Sequence, residues 1–180
     1  MADVFVYTSP AHGHLFPIVP TMLELRAREH RVHVRTLAGE VERMRGLGLE
    51  ASPMARAIEE RALDDHLART PPGALDRVLA CWLDRATHEI PDVREGLANT
   101  GADVALVDVN SWAALAAAEA SGLPFAIFAP YFLPLAIPGR PPFGLGMAPA
   151  RGVLGRDPAG GVVAEEVRLA GRDRVHRCPP

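Results

Sequence analysis

Short apolar runs alternate with longer segments of helical periodicity along the chain as far as Ala129. An apolar run bounded by turn residues is typical of a buried parallel strand, and apolar residues three or four positions apart are typical of a helix packed on a sheet. The predicted strands are residues 4–8, 32–37, 103–107 and 125–128, with a further short strand within 46–53. The predicted helices are residues 15–25, 74–97 and 111–120, with a weaker pattern over 54–69. This order predicts an α/β fold with one parallel sheet and helices on both faces.

Prolines and one tryptophan give more detailed expectations for the two longest helices. Pro17 suits the first turn of the first helix, whereas Pro20 predicts a local irregularity because proline removes a backbone hydrogen bond. Pro91 predicts a bend in the long helix for the same reason. Trp82 lies on the apolar face of that helix and is expected in the core.

Composition and charge narrow the classes of function. The chain has 180 residues, 48% of them apolar, which is enough for one core of ordinary size. With 19 basic and 22 acidic residues its net charge is -3, so it lacks the concentrated positive charge that nucleic-acid binding needs. No basic, apolar leader and no long apolar run is present, so we expect neither export nor a membrane span. Cys81 and Cys178 form no disulfide or zinc pattern, which favours a reducing, cytoplasmic compartment.

The strongest local signal is the segment Ser9–Pro17, which reads SPAHGHLFP between the first strand and the first helix. Ligands of parallel sheets bind outside the carboxyl ends of the strands, where both His14 and Asp108 fall. Gly13 lets the chain turn tightly beside a ligand, and an imidazole can accept a proton near neutral pH. Taken alone, however, a histidine pair in such a segment more often occupies a polar turn, and Asp108 more often caps the helix that follows it.

Two other motifs are too weak to define a site. Asp108–Val109–Asn110 superficially resembles a divalent-metal motif, but its one carboxylate does not make a cation site, and we predict no metal. A single glycine, Gly13, follows the first strand, where a dinucleotide fingerprint has three glycines and a phosphate loop has a lysine. The chain alone is therefore not an obvious nucleotide binder.

Two separated blocks of sequence resemble family 1 glycosyltransferases of the GT-B fold. The first block contains Gly13-His14, Pro17 and the strand at 30–34, and the second runs from Asp103 to Asp108 and on through the helix at 111–120 to Gly122-Leu123-Pro124-Phe125. The resemblance covers residues 3 to about 150 and is greatest to bacterial enzymes that glycosylate macrolide, polyketide and enediyne natural products. It implies a Rossmann-like acceptor-binding domain over 1–150, the amino-terminal half of a GT-B enzyme.

The resemblance also implies roles for individual residues. The histidine matching His14 takes a proton from the acceptor hydroxyl, and the aspartate matching Asp108 contacts its other ring nitrogen. Such an enzyme moves a sugar from a nucleotide diphosphate sugar to a hydroxyl of a hydrophobic natural product. The transfer inverts the configuration at the anomeric carbon. The sugar nucleotide is a co-substrate, so no resident cofactor and no metal are expected. Candidate acceptor-binding positions are His12, Gly13, Trp112, Tyr131, Phe132 and Leu133, with the segment 54–69.

After about Arg156 the chain no longer resembles the family. Residues 151–180 mix glycine, proline and arginine with little apolar surface, so we expect a linker or a poorly ordered tail. The family's second domain, which binds the nucleotide sugar, is expected to be absent, and the chain alone is expected to be inactive. Two alternatives remain open, namely a catalytically silent module that binds a hydrophobic ligand or a partner enzyme, and a flavodoxin-like domain that binds a phosphate compound.

Overall fold

Residues 1–131, which a computed structural model describes, form a five-stranded parallel sheet flanked by helices. The strands are β1 (Asp3–Tyr7), β2 (Arg31–Thr36), β3 (Glu50–Pro53), β4 (Val104–Asp108) and β5 (Phe125–Phe128). The helices are α1 (His12–Ala27), α2 (Val41–Gly46), α3 (Arg56–Glu60), α4 (Pro71–Thr100) and α5 (Trp112–Ala120), with 3-10 turns at Ala38–Glu40 and Asp65–Leu67. The strand order is β3-β2-β1-β4-β5, which confirms the predicted α/β fold.

Alternate side chains of β1 enter two hydrophobic cores, one on each face of the sheet. Val4 and Val6 pack with buried residues of α1 and α2, including Leu15, Ile18, Met22 and Met44. Phe5 and Tyr7 pack on the other face with residues of α4 and α5, including Val93, Leu97, Ala114 and Ala118. A strand buried on both faces needs an unbroken apolar run, which explains why the sequence of β1 does not alternate with polar residues.

The sheet brings the ends of β1 and β4 together. These strands are direct neighbours, and their register pairs Val4 with Val104 and Tyr7 with Val107. The chain proceeds from β1 to β2 on one side, and β4 lies on the other, so the strand order reverses between β1 and β4. Such a reversal opens a crevice at the carboxyl ends of the two strands, where α/β proteins bind ligands.

Helix α1 continues unbroken through Pro17 and Pro20, so neither proline ends the helix. Both prolines are exposed, three residues apart on the solvent face. The carbonyl groups that lose their helical partners belong to Gly13 and Phe16, which are also exposed. Water can satisfy both groups, and the helix therefore accommodates the prolines. In α4, Pro91 likewise leaves the carbonyl group of Thr87 without its helical partner. Both residues are exposed, and α4 also continues as one helix.

The weaker sequence patterns were interpreted less accurately. Residues 54–69 form the five-residue α3 and a 3-10 turn instead of one helix, and α2 was not predicted. Strand β5 was expected to be buried, but Phe125 is 36% exposed and Ile127 is 56% exposed. Its apolar sequence alone does not distinguish an edge strand from a central one, because both carry Val, Ile and Phe.

The buried face of α4 also differs from the predicted apolar face. Leu75 is 44% exposed, whereas Arg85, Glu89 and Asp92 are buried. Buried charges need partners, and Asp92 accepts a hydrogen bond from the Tyr7 hydroxyl at 3.0 Å. Charged side chains on one face of α4 therefore form part of the interior.

Several expectations concern residues outside the described range. These are the linker beyond residue 131, the pocket positions Phe132 and Leu133, the domain boundary at 150 and the tail over 151–180. Within residues 1–131, no helix is both long enough and apolar enough to span a membrane. Cys81 is a buried free thiol.

Candidate active site

His14 and Asp108 meet at the crevice between β1 and β4. His14 lies in the first turn of α1, which follows β1 after the short loop at 8–11, and Asp108 is the last residue of β4. His14 Nδ1 lies 2.8 Å from Asp108 Oδ2. The side chain of Asp108 is 1% exposed and that of His14 is 16% exposed, so the carboxylate lies below the ring and the ring reaches solvent.

The contacts of Asp108 fix the tautomer of the neutral His14 ring. Asp108 Oδ1 accepts the backbone N–H of Asn110 at 2.8 Å, which holds the carboxylate in place. An ionised carboxylate only accepts hydrogen bonds, so the proton of the neutral imidazole lies on Nδ1. The lone pair on Nε2 is then available to receive a proton, which is the arrangement of a general base with its orienting acid.

Asp108 does not cap α5, which was the alternative role considered for it. Its side chain bonds to Asn110 in the loop, and α5 begins at Trp112. The backbone N–H groups of Ala113 and Ala114 donate instead to Glu89 of α4. A carboxylate at a helix amino terminus satisfies free N–H groups and complements the helix dipole.

Asn110 and Tyr131 complete the surroundings of the His14 ring. Asn110 Nδ2 lies 3.2 Å from His14 Nε2, and the Tyr131 hydroxyl donates to Asn110 Oδ1 at 2.6 Å. The rings of Tyr131 and His14 also meet edge to face, with centroids 6.0 Å apart. Burial, followed by the charge of Asp108, raises the pKa of Tyr131, so this phenol keeps the proton that it donates. The sequence analysis includes Tyr131 among the candidate pocket positions but assigns no site role to Asn110, because the direction of this side chain depends on the turn after β4.

A cavity of about 280 Å³ opens beside these side chains. It is lined by Ser9, Pro10, Ala11, His14, Glu59, Ala62, Leu63, Trp82, Arg85 and Asn110. Most of the lining surface is apolar, with His14 and Asn110 among its polar groups, which is the usual composition of a site for a small organic ligand. The segment 54–69 contributes Glu59, Ala62 and Leu63, in agreement with its proposed place in the pocket.

The structure places the two tryptophans differently from the sequence interpretation. Trp82 was expected in the core but lines the cavity, and its ring contacts that of Trp112 with centroids 4.4 Å apart. Trp112 is 50% exposed and supports Trp82 from outside the cavity lining. Helical periodicity identified the face of α4 that carries Trp82, but the groove beside this residue arises from the loops opposite it.

His12 and Gly13 also lie outside the cavity lining. The His12 ring is paired with Glu40 at 3.0 Å and stacks on Phe16 with centroids 5.4 Å apart. Gly13 lies inside α1 and does not form a tight turn, and no neighbouring atom lies within 4 Å of the place of its missing Cβ. Their role in acceptor binding stays a prediction.

Two buried charges support the wall of the cavity. Arg85 Nε donates to the carbonyl oxygen of Arg61 at 3.0 Å, which ties α4 to the segment after α3. Burial raises the pKa of Glu89 to about 7, against the lowering effects of the Ala114 and Ala113 N–H groups and of Arg85. Through Ala113 and Ala114, Glu89 connects α4 to the first turn of α5.

Known glycosyltransferases share this fold. The glycotransferase of kitacinnamycin superposes with a TM-score of 0.60 at 24% identity, over 96% of this chain and 40% of that one. SsfS6, a glycosyltransferase of Streptomyces sp. SF2575, superposes with a TM-score of 0.60 at 18% identity, over 72% of this chain and 39% of that one. The chain has the fold of the amino-terminal half of GT-B glycosyltransferases.

Sequence similarity points to the same group of proteins. No protein-family model matches the chain. A 4'-demethylrebeccamycin synthase from Lentzea aerocolonigenes is 28% identical over 162 residues. That alignment covers 86% of this chain and 38% of the relative, so the chain spans less than half the length of this relative. SsfS6 has also been solved in complex with thymidine diphosphate.

Proposed function

We propose that this chain is the acceptor-binding and general-base half of an inverting glycosyltransferase. The observation that carries the proposal is the pair formed by His14 and Asp108, with the ring facing a mostly apolar cavity. An alcohol is a weak nucleophile and needs a base within hydrogen-bond reach as its oxygen attacks. The pair meets that need at the edge of the sheet where a substrate can enter.

The reaction that fits this geometry is a single displacement. The acceptor oxygen forms a bond to the anomeric carbon of the sugar while the bond from that carbon to the diphosphate breaks. The hydroxyl proton passes to Nε2 of His14, and the nucleotide diphosphate leaves with the bonding electrons. Asp108 stabilises the resulting imidazolium through Nδ1. Because the oxygen attacks opposite the leaving group, the configuration at the anomeric carbon inverts.

The acceptor in this proposal is a hydroxyl of a hydrophobic natural product. Leu63, Ala62 and Trp82 give the cavity an apolar wall next to the base. The similar proteins are named for rebeccamycin and kitacinnamycin, which supports an acceptor of the natural-product class. The volume of about 280 Å³ is close to the lower limit of ordinary ligand pockets, so a large acceptor extends beyond it.

The donor in this proposal is a nucleotide diphosphate sugar bound by a second domain. The thymidine diphosphate in SsfS6 supports this donor class. Since the aligned region covers 38% of the rebeccamycin relative, we place the donor-binding domain outside these 180 residues. The sugar nucleotide is a co-substrate, and the proposed step uses no resident metal or cofactor. The buried free thiol of Cys81 suits the reducing cytoplasm that we propose as the compartment.

The decisive experiment joins this chain to the carboxyl-terminal part of the rebeccamycin relative and measures sugar transfer to the aglycone of rebeccamycin or to a polyketide aglycone. In that fusion His14→Ala should lower turnover about 10²- to 10⁴-fold, the usual contribution of a general base. His88→Ala is the control, since His88 is an exposed histidine of α4 that does not line the cavity. Undiminished turnover of the His14 variant would overturn the proposal. A fusion that binds the aglycone without transferring sugar would instead support a silent binding module.

A further inference from the structure

The amide of Asn110 lies at the nitrogen that the proposed mechanism needs. His14 Nε2 must receive the acceptor proton, yet Asn110 Nδ2 lies 3.2 Å from it. Both side chains line the cavity, so an acceptor that enters meets them together. Without an acceptor, the lone pair of the base is therefore already engaged in a hydrogen bond.

The hydrogen bonds around Asn110 all run in one direction. The Tyr131 hydroxyl donates to Asn110 Oδ1, which turns the amide nitrogen toward His14. Asn110 Nδ2 then donates to Nε2, and Nδ1 donates to Asp108. Each group in this series of hydrogen bonds presents the donor or acceptor that its neighbour requires. Reversing the amide would place its oxygen against the lone pair of Nε2.

We propose that Asn110 is a positioning residue that holds His14 in its base-competent tautomer and occupies Nε2 until an acceptor hydroxyl replaces the amide. This inference rests on the proposed function, because it takes Nε2 as the atom that receives the proton. The contact between Asn110 and Nε2 also affects water, which competes with the acceptor for the donor sugar. A water molecule must displace the amide without the binding energy of the aglycone, whereas the acceptor displaces it while filling the cavity. Asn110 therefore suppresses hydrolysis of the donor sugar.

The contact can be tested in the 180-residue chain without any catalytic activity. Diethyl pyrocarbonate reacts with the unprotonated nitrogen of an imidazole, and mass spectrometry locates the label. With Asn110→Ala the labelling rate of His14 should rise about two- to tenfold, which corresponds to the loss of one ordinary hydrogen bond. The His12 ring is the internal control, because it lies in the same peptide and bonds to Glu40 instead.

The isosteric variant Asn110→Asp separates this role from simple shielding. Its carboxylate oxygen accepts a proton on Nε2 and favours the imidazolium, so labelling of His14 should fall about twofold or more below the wild-type rate. A side chain that only blocks access would leave labelling by the isosteric variant unchanged. Opposite effects of the two variants on His14, with His12 constant, support the proposal. Equal effects, or none, overturn it.

The fusion enzyme tests the consequence for water. In hydrolysis the water oxygen bonds to the anomeric carbon, the diphosphate leaves, and the water proton passes to Nε2. Without acceptor, Asn110→Ala should hydrolyse the donor about two- to tenfold faster than wild type. Unchanged hydrolysis together with the expected labelling would show that the contact does not suppress hydrolysis.

The two proposals can fail separately. If His14→Ala retains transfer, the proposed function fails while the labelling still reports the Asn110 contact. If only the labelling fails, this inference fails alone.

Discussion

The two oxygens of the Asp108 carboxylate make separate contacts. One oxygen accepts from His14 Nδ1, and the other accepts the backbone N–H of Asn110. The second contact stabilises the loop after β4, and in this loop Asn110 lies beside the same imidazole. A change at Asp108 therefore affects the electrostatics of the His14 ring and the position of Asn110.

Replacing Asp108 with asparagine should separate charge from shape. The side chain keeps its size but no longer stabilises the imidazolium, so turnover of the fusion enzyme should fall about 10²- to 10⁴-fold. Asp103→Asn is the matched control, because Asp103 precedes the same strand at its opposite end and bonds to the backbone N–H of Asp3. Steady-state transfer rates check the prediction, and equal losses in the two variants would contradict it.

The residues of the site differ in how far the sequence reveals them. His14 and Asp108 could be predicted, since both lie near the carboxyl ends of predicted parallel strands and the resemblance to glycosyltransferases assigns each of them a role. Asn110 could not be assigned a role, because the direction of its side chain depends on the turn that Asp108 stabilises. Trp82 was misplaced for a related reason, since periodicity gives the face of a helix but not the groove beside it.

At the scale of elements, close packing between α4 and β1 depends on Gly96. A Cβ added there would lie 2.5 Å from Cζ of Phe5, which is fully buried in the core. Gly96 has an ordinary helical backbone, so its value lies in the space that it leaves and not in its conformational freedom. The sequence showed a glycine inside a helical pattern, but the ring that requires it lies 91 positions earlier in the chain.

Gly96→Ala should destabilise the chain despite the better helix propensity of alanine. Alanine gains up to about 1 kcal/mol in a helix, whereas overpacking a core costs about 1 to 3 kcal/mol. The clash wins because the Phe5 ring is fully buried among the residues of its core cluster. Gly13→Ala is the control, since nothing lies within 4 Å of its Cβ position. Urea denaturation should show a lower free energy of unfolding for the first variant and no loss for the second.

The elements themselves were predicted where their patterns were long or fully apolar. The ends of β1, β4 and α5 lie within one residue of the sequence interpretation because turn residues bound these runs. Near Pro20 the pattern shows the missing hydrogen bonds but not that Gly13 and Phe16, whose carbonyl groups lose their partners, are exposed. The prediction failed on the charged face of α4 because Arg85, Glu89 and Asp92 are conventionally assigned to solvent.

At the scale of the whole molecule, the buried charges of α4 make stability depend on pH. Glu89 bridges α4 and the amino terminus of α5, and burial raises its pKa to about 7 from an ordinary value of 4.5. Between these two values the folded state binds a proton that the unfolded state has released. The free energy of unfolding must therefore fall as the pH rises through this interval. Burial also raises the pKa of Asp92, which adds to the same trend.

Glu89→Gln should remove the part of this pH dependence that belongs to Glu89. A shift from 4.5 to about 7 corresponds to about 3 kcal/mol, at about 1.4 kcal/mol for each pKa unit. Urea denaturation of both proteins at pH 5 and pH 8 isolates this contribution, because Asp92 is common to both. Relative to wild type, the variant should gain about 3 kcal/mol between pH 5 and pH 8.

The control is Glu119→Gln, an exposed change on α5, which should show no such gain. A pH-independent difference between wild type and Glu89→Gln would mean that Glu89 is ionised in the folded state throughout, and that the amino terminus of α5 and Arg85 outweigh its burial.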